Sequence, residues 1–276
     1  MTGERPTGPQ VDFSALYDDH PDYVARRAAG SYEQAQIDIE VREFKLPYLL
    51  AVLPEPRALH SVLEVGCATG ELIAAMPVTP GGRRVGLDIS AANIAAARER
   101  FGQVEFFCGD LSVLGAQTFD AVILSDVLEH VPDDVAFLRD ASAFAGLVLV
   151  NLPLEDNWLN RGRHYGANDP SGHLRRYTLD DARALVQRAG LEIVAQSRVW
   201  FHETPAERSR RALRRERLGS AYAGTGPGRS LRRAVFAAAS WARPLGRRLF
   251  ASNLFVAARA AAVPGSAVFT GSTPWA

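Results

Sequence analysis

Lysine is almost absent from this 276-residue chain, in which Lys45 stands alone beside 30 arginines. With the high alanine content, that bias reads as the mark of a high-GC genome, and it lowers what any arginine-rich patch says about function. Cysteine is scarce as well. Cys67 and Cys108 are the only two, too few for a disulfide framework, and a reducing cytoplasm is the expected compartment. The first ten residues lack the apolar run of a secretory signal, and no apolar stretch is long enough to span a bilayer. Net charge is missing too: 31 Lys and Arg balance 31 Asp and Glu, so no global field draws the chain to nucleic acid. What is plentiful is material for a core, with 47% hydrophobic residues against 22% charged. The length suits one α/β domain with insertions.

The chain is organised around Val62-Leu-Glu-Val-Gly-Cys-Ala-Thr-Gly70. Val62 to Val65 reads as a short buried strand, and Gly66 and Gly70 allow a sharp turn and a close ligand approach that a Cβ would prevent. The spacing Glu64-x-Gly66-x-Ala68-x-Gly70 is not the G-x-G-x-x-G of a dinucleotide loop, so the glycine that admits a pyrophosphate is missing. Glu64 would repel phosphate and attract an ammonium or sulfonium. Asp88 closes the next apolar run, Arg84-Val-Gly-Leu-Asp88, where a carboxylate can take both hydroxyls of a ribose. A plainer role is also open to Asp88, as the cap of a helix over 90–101. These residues imply a nucleoside that carries an amino acid.

Three further segments follow in order: Gly86-Leu-Asp-Ile-Ser90, Cys108-Gly-Asp-Leu111, and Phe119-Asp-Ala-Val-Ile-Leu-Ser-Asp-Val-Leu-Glu-His-Val131. With them the chain resembles the class I S-adenosylmethionine-dependent methyltransferases, over roughly residues 60–200 plus a last strand near the C-terminus. Ala68 stands where many members carry glycine, and a small residue still fits. The resemblance implies S-adenosyl-L-methionine as cofactor. Glu64 would lie near the methionyl ammonium, Gly66, Cys67, Ala68 and Gly70 would seat the ligand, and Asp88 with Ile89 would meet the ribose. Asp110 would take the adenine amine with Leu111 beside it, and Ser125 would line the same pocket. The implied fold is α/β: a Rossmann-like, doubly wound, mostly parallel seven-stranded sheet with one antiparallel strand and a helical insertion before the last strand. The implied activity is methyl transfer to a small-molecule acceptor, foremost an oxygen of a saccharide, natural product or quinone-like compound. The alternative is a cofactor-binding protein without methyl transfer, its insertion serving as a partner or membrane module.

Strand signals fall near 61–65, 84–88, 104–107, 119–124, 145–151, 191–199 and 252–259, alternating with helices near 70–76, 90–101, 133–142 and 178–189. Thr178 and Asp181 form a capping box. Residues 1–30 read as a flexible arm, 31–202 with 251–263 as the core, 203–250 as a basic amphipathic helical insertion and 264–276 as a disordered tail. An amphipathic helix over Ser31–Leu53 carries its stripe on Ile37, Val41, Phe44 and Leu49. Tyr23, Tyr32 or Arg42 on this N-terminal part could reach the cofactor. The insertion reads either as a lid over the acceptor or, through 208–250, as a peripheral contact with an anionic membrane.

An alcohol or phenol acceptor must lose a proton, for which histidine is suited near neutral pH. His130, His164 and His173 are the candidates. His130 follows the fourth strand and reads first as a structural or pocket-wall residue; His173, to which holding the loop in place is an equally open role, and His164 lie on the long polar loop after the fifth strand, where the crevice of an open α/β sheet forms. On that loop Arg161, Arg163, Arg175 and Arg176 could grip an anionic group of the acceptor. Asp126, Glu129 and Asp133 are not spaced to share a face, so no metal is expected. No Asn-Pro-Pro-Tyr-like element for a flipped base follows the fourth strand.

Overall fold

The computed structural model describes Asp18, Val24, Arg27 and residues 31–54, 58–166, 169, 171–218 and 243–260. The first residues and the tail from 264, expected to be disordered, lie outside the described residues, as do Tyr23 and residues 219–242 of the insertion. Strands β1 (Ser61–Val65), β2 (Arg83–Asp88), β3 (Glu105–Cys108), β4 (Ala121–Ser125), β5 (Val148–Leu154), β6 (Leu191–Trp200) and β7 (Ser252–Ala260) form one sheet, in the order β3-β2-β1-β4-β5-β7-β6. The pairings among β1 to β5 are parallel, and β7 runs antiparallel between β5 and β6. This is the doubly wound arrangement expected, with the last strand beside the sixth. The order reverses between β1 and β4, and the crevice opens at their carboxyl ends.

Central β4 is buried at every position, as a parallel strand covered on both faces must be. Edge strand β6 alternates, and a bulge between Ile193 and Ala195 leaves Val194 exposed. Because neighbouring residues of a strand point to opposite faces, Val62, Ile123, Leu149 and Phe255 join one core, and Leu63, Val122, Val150 and Val256 the other. Each such fully buried side chain contributes about 2 kcal/mol.

The N-terminal stripe forms as expected, with one irregularity. Helix α1 (Ser31–Glu40) continues through a π-helical turn, Val41–Lys45, into α2 (Leu46–Ala51). Ile37, Val41, Phe44 and Leu49 are all buried. The five-residue step from Phe44 to Leu49 overshoots α-helical spacing, and the wider turn returns Leu49 to the core. Helices α3 (Glu71–Ala75) and α4 (Ala91–Arg100) share this face, while α5 (Asp134–Ser142) and α6 (Leu179–Arg188) cover the other. The Thr178 hydroxyl accepts from Asp181 N at 3.2 Å and the Asp181 carboxylate from Thr178 N at 3.0 Å, closing the capping box that starts α6.

After β6, helix α7 (Pro205–Leu218) lies along α1. Ser209 donates to Glu43 at 2.7 Å, and Arg217 pairs with Glu33 at 2.9 Å while stacking 4.0 Å over the Tyr32 ring. Helix α8 (Arg243–Leu249) leads into β7, and its Arg247 stacks on Trp200.

Candidate active site

The turn after β1 is held from below by β2. Gly66 N and Cys67 N both donate to Leu87 O, at 2.8 and 3.0 Å. Ala68 takes φ 47°, uncommon for a residue with a Cβ. Its N–H donates to Asp88 Oδ2 at 2.8 Å, and Ser90 N donates to Asp88 Oδ1 at 2.9 Å. One carboxylate thus ties two segments together. A carboxylate has about four acceptor sites, so capacity for a diol remains. The cap of α4 is Ser90, whose hydroxyl accepts from Asn93 N at 3.1 Å; Asp88 supports the cap without being it. A Cβ on Gly66 (φ 73°) would meet Val127 at 2.5 Å, and one on Gly70 (φ 84°) would meet Phe106 at 2.7 Å. These glycines therefore answer to the protein's own packing as well as to the turn.

A cavity of about 500 Å³ opens at this end of β1, β2 and β4. Of the residues expected at the cofactor, Gly66, Asp88, Ile89, Asp110 and Leu111 line it, and His130 and Asp126 join them. Asp110 caps a short 3₁₀ turn by accepting from Ser112 N at 2.8 Å, and the Ser112 hydroxyl and amide hold its carboxyl below the usual range. Glu64, Cys67, Ala68, Gly70 and Ser125 lie outside the lining. Cys67 is packed in the core, where burial pushes its thiol up. Ser125 Oγ accepts from Asn151 at 3.0 Å. Glu64 is buried at 3% exposure, with Oε2 lacking a hydrogen-bond partner among the described residues. Burial pushes its carboxyl up to about 8, against the pull of the Lys45 charge.

That lysine is a site residue that sequence reasoning passed over. Lys45 Nζ sits 2.9 Å from both Glu40 and Asp126. Asp126, at φ 56°, also accepts from Asn151 Nδ2 at 3.0 Å, and Asn253 Nδ2 donates to Asn151 Oδ1 at 2.8 Å. The signals were the solitary lysine and one asparagine in each of two largely apolar strands, β5 and β7. Tyr32 instead lies under Arg217, and Arg42 is exposed. From the N-terminal arm, Arg27 donates to Asn93 Oδ1 at 2.9 Å, and Asp18 accepts from the Ser90 hydroxyl.

The loop after β5 folds back over the turn that follows β4. His130 Nδ1–H donates to Gly172 O at 3.1 Å, which leaves the lone pair on Nε2. Burial, then the neighbouring His173, pushes the His130 imidazole down to about 4. The two rings meet edge to face at 4.8 Å. His173 Nδ1–H donates to Glu155 Oε2 at 3.0 Å, which fixes its ring and tautomer. Arg163 reaches Glu155 Oε1 at 2.5 Å and grips Asp169 with two donors, at 2.5 and 2.7 Å. That guanidinium holds the Asp169 carboxyl down to about 2. Arg175 donates to the carbonyls of Leu128, Val131 and Pro132, and Tyr177 OH to Leu128 O at 3.0 Å. Arg163 and Arg175, expected to be open to an anionic acceptor, are thus engaged by the protein itself. His164 is exposed, and neither it nor His173 lines the cavity. Among the described residues, Glu129, His130 and His173 bring three potential metal-donor atoms within 4.8 Å of one another. The spacing of the acids gave no hint of this, because one imidazole comes from a distant loop.

Comparison with known proteins bears on the family and the fold. A methyltransferase-domain family profile matches residues 37–196. The ubiquinone biosynthesis O-methyltransferase of Bradyrhizobium sp. (strain ORS 278) is 29% identical over 156 residues, covering 47% of this chain and 60% of that protein. The protein of the same name from Dinoroseobacter shibae is 26% identical over 207 residues, covering 66% and 73%. Among solved structures, magnesium protoporphyrin IX methyltransferase from Synechocystis PCC 6803 with bound SAH superposes with a TM-score of 0.53 at 17% identity, covering 90% of this chain and 98% of that one. At that identity the likeness shows the fold.

Proposed function

The chain belongs to the methyltransferase-domain family, and on that premise we propose that it transfers a methyl group from S-adenosyl-L-methionine to an oxygen of a small, quinone-like acceptor. The observation that carries the cofactor reading is the cavity at the switch point of the sheet, with Gly66, Asp88 and Asp110 in its wall and a buried Glu64 oxygen behind it that no described protein group satisfies. An orphaned carboxylate oxygen below a glycine turn fits a ligand bearing an ammonium and a ribose better than one bearing a pyrophosphate. Glu64 would hold the ammonium, Asp88 the ribose hydroxyls, and Asp110 with Leu111 and Ile89 the adenine. When bound, the cofactor supplies an electrophilic methyl group on a good leaving group.

The chain's own part is to position the acceptor and move a proton. His173 is the base this reading favours, because Glu155 holds Nδ1 and directs Nε2 away from the carboxylate. His130, neutral and lining the cavity, is the second candidate and the nearer to the cofactor. The names of the relatives support a quinone-like phenol as acceptor. The engagement of Arg163 and Arg175 within the protein argues against an acceptor gripped through a phosphate. Exposed Trp158 and Leu159, beside Arg161 and close to α8, support a peripheral contact with an anionic membrane; co-sedimentation with anionic vesicles tests it. Among the described residues no helix is long and apolar enough to cross a membrane.

The test of the activity is mass spectrometry of the protein incubated with S-adenosylmethionine and catechols, quinols, sugars and other phenols. A product heavier by one methyl, with S-adenosylhomocysteine formed, is expected from the quinol or catechol set. Cofactor binding without product from any set would favour the non-catalytic alternative.

A further inference from the structure

Helix α4 meets the β1 turn at both of its ends. At its start Ala68 N and Ser90 N share the Asp88 carboxylate, at 2.8 and 2.9 Å, and Asn93 of the first turn stands in the cavity wall. At its last residue Arg100 Nη1 reaches Glu71 Oε1 at 2.9 Å. The Thr69 hydroxyl donates to the same carboxylate, 2.7 Å from Oε2 and 2.9 Å from Oε1. Ala68 and Thr69 are neighbours in one turn, so two consecutive residues are tied to opposite ends of one ten-residue helix. Arg98 Nη2 fixes that helix to the sheet by donating to Phe106 O at 2.7 Å. Between its ends the helix abuts the turn, where a Cβ on Gly70 would stand 3.3 Å from that of Ala97.

The tie at Thr69 is enclosed. Thr69 is fully buried, and the Arg100 and Glu71 side chains are 21% and 7% exposed. A hydroxyl has a single proton to donate, and a carboxylate this far from water keeps its charge in place through the guanidinium beside it. Without that cation Glu71 is expected to turn toward solvent, which leaves the Thr69 hydroxyl without its acceptor. Thr69, Glu71 and Arg100 do not line the cavity. They reach the ligand's seat through the backbone from Cys67 to Gly70, which Gly70 N closes by donating to Cys67 O at 2.9 Å.

We infer that Arg100 is a positioning residue for the cofactor: through Glu71 and Thr69, and from outside the cavity, it holds the β1 turn in the shape that seats the methionyl and ribose portions. This rests on the cofactor reading above. The Asp88 tie alone fixes the turn at one point and lets it pivot there. The Arg100 tie supplies the second point, and α4 is the splint between them.

Titration calorimetry of Arg100→Ala with S-adenosylmethionine and S-adenosylhomocysteine tests it. Both are expected to bind about tenfold more weakly than to wild type, and by the same factor, because they share the portions the turn seats. Arg100→Lys, which keeps a cation at the end of the helix, should recover most of that affinity. Thr69→Val removes only the hydroxyl and should weaken binding in the same direction; it also carries the test if Arg100→Ala does not fold. Combined with Arg100→Ala it should cost less than the two separate losses together, because both act through one carboxylate. In the ligand-free protein, amide exchange at Ala68 and Gly70 should quicken severalfold in Arg100→Ala while Val122 to Leu124 of β4 stay protected, a pattern that a general loss of stability would not produce. Affinity within about twofold of wild type in either single variant, losses that simply add, no recovery in Arg100→Lys, or exchange quickened equally in β4 would overturn the inference. A wild-type protein that bound neither probe would instead remove the cofactor reading.

Discussion

The loop after β1 and the loop after β5 open at the same end of the sheet and are built by opposite means. The first is the five residues from Gly66 to Gly70, fixed by backbone hydrogen bonds to Leu87 O and by the Asp88 carboxylate one strand away. The second runs some twenty residues and is fixed by side chains reaching across it: Arg163 to Glu155 and Asp169, His173 to Glu155, Arg175 to the carbonyls after β4. A short backbone-held turn presents nearly the same surface in any chain that carries it. A loop closed by charged side chains changes shape with one substitution, which suits the part of a site that differs from one acceptor to another.

The sharpest break in that contrast is expected from Asp88→Ala. It removes the side-chain tie between the β1 turn and the end of β2 and leaves two backbone donors, Ala68 N and Ser90 N, open, at about 1–3 kcal/mol each where buried. Calorimetry is expected to find S-adenosylmethionine binding lost, and an unchanged affinity would remove Asp88 from the ribose role. Next in size is Arg163→Ala, which leaves the fully enclosed Asp169 side chain and Glu155 without their shared cation. The expected cost is roughly 3 kcal/mol at most, because Arg163 is itself partly exposed. Limited proteolysis should cut within the loop and turnover should fall, with cofactor affinity kept within about twofold. If affinity fell in step, the two loops would be one unit and the contrast would not hold.

The loops also differ in the sign of their response to pH. Glu64, beneath the first, has its folded pKa raised from 4.5 to about 8. The folded chain therefore keeps a proton the unfolded chain has lost, and the stability from this group, present at acid pH, is lost as pH rises through about 8. The slope is up to about 1.4 kcal/mol per pH unit. Asp169, in the second, is depressed from 3.8 to about 2, so its contribution is present above pH 3.8 and lost as pH falls through about 2. Thermal unfolding of Glu64→Gln from about pH 4.5 up to about 8, and of Asp169→Asn across acid pH, each against wild type, should give gaps that move in opposite directions. The smallest effect is expected from Arg217→Ala, which unties α7 from α1 at an exposed pair. The loss should show as a melting shift of about 2 °C or less by scanning calorimetry.

Local order was legible wherever one segment carried its own reason. The buried run Val62–Val65, the Thr178–Asp181 box and the stripe of Ile37, Val41, Phe44 and Leu49 all became the elements their patterns implied. Arg163 and Arg175 of the β5 loop were misjudged because a guanidinium that grips a phosphate and one that grips the protein's own carboxylates or carbonyls look alike in sequence. The partnership of His173 with Glu155, eighteen positions apart, follows only from a loop that returns on itself. Lys45 was overlooked because its partner Asp126 lies four strands further along the chain.

The sequence by itself determined the order of strands and helices, the seat of the β1 turn and the acid at the end of β2, because each depends on residues a few positions apart or on a periodicity of two or 3.6. Only the tertiary structure decided which charges meet. It placed a single lysine between Glu40 and Asp126, turned Arg163 and Arg175 inward, joined His130 to His173, and gathered five aspartates around one cavity. Charge acts through space, and the distances that set it exist only once the sheet has closed.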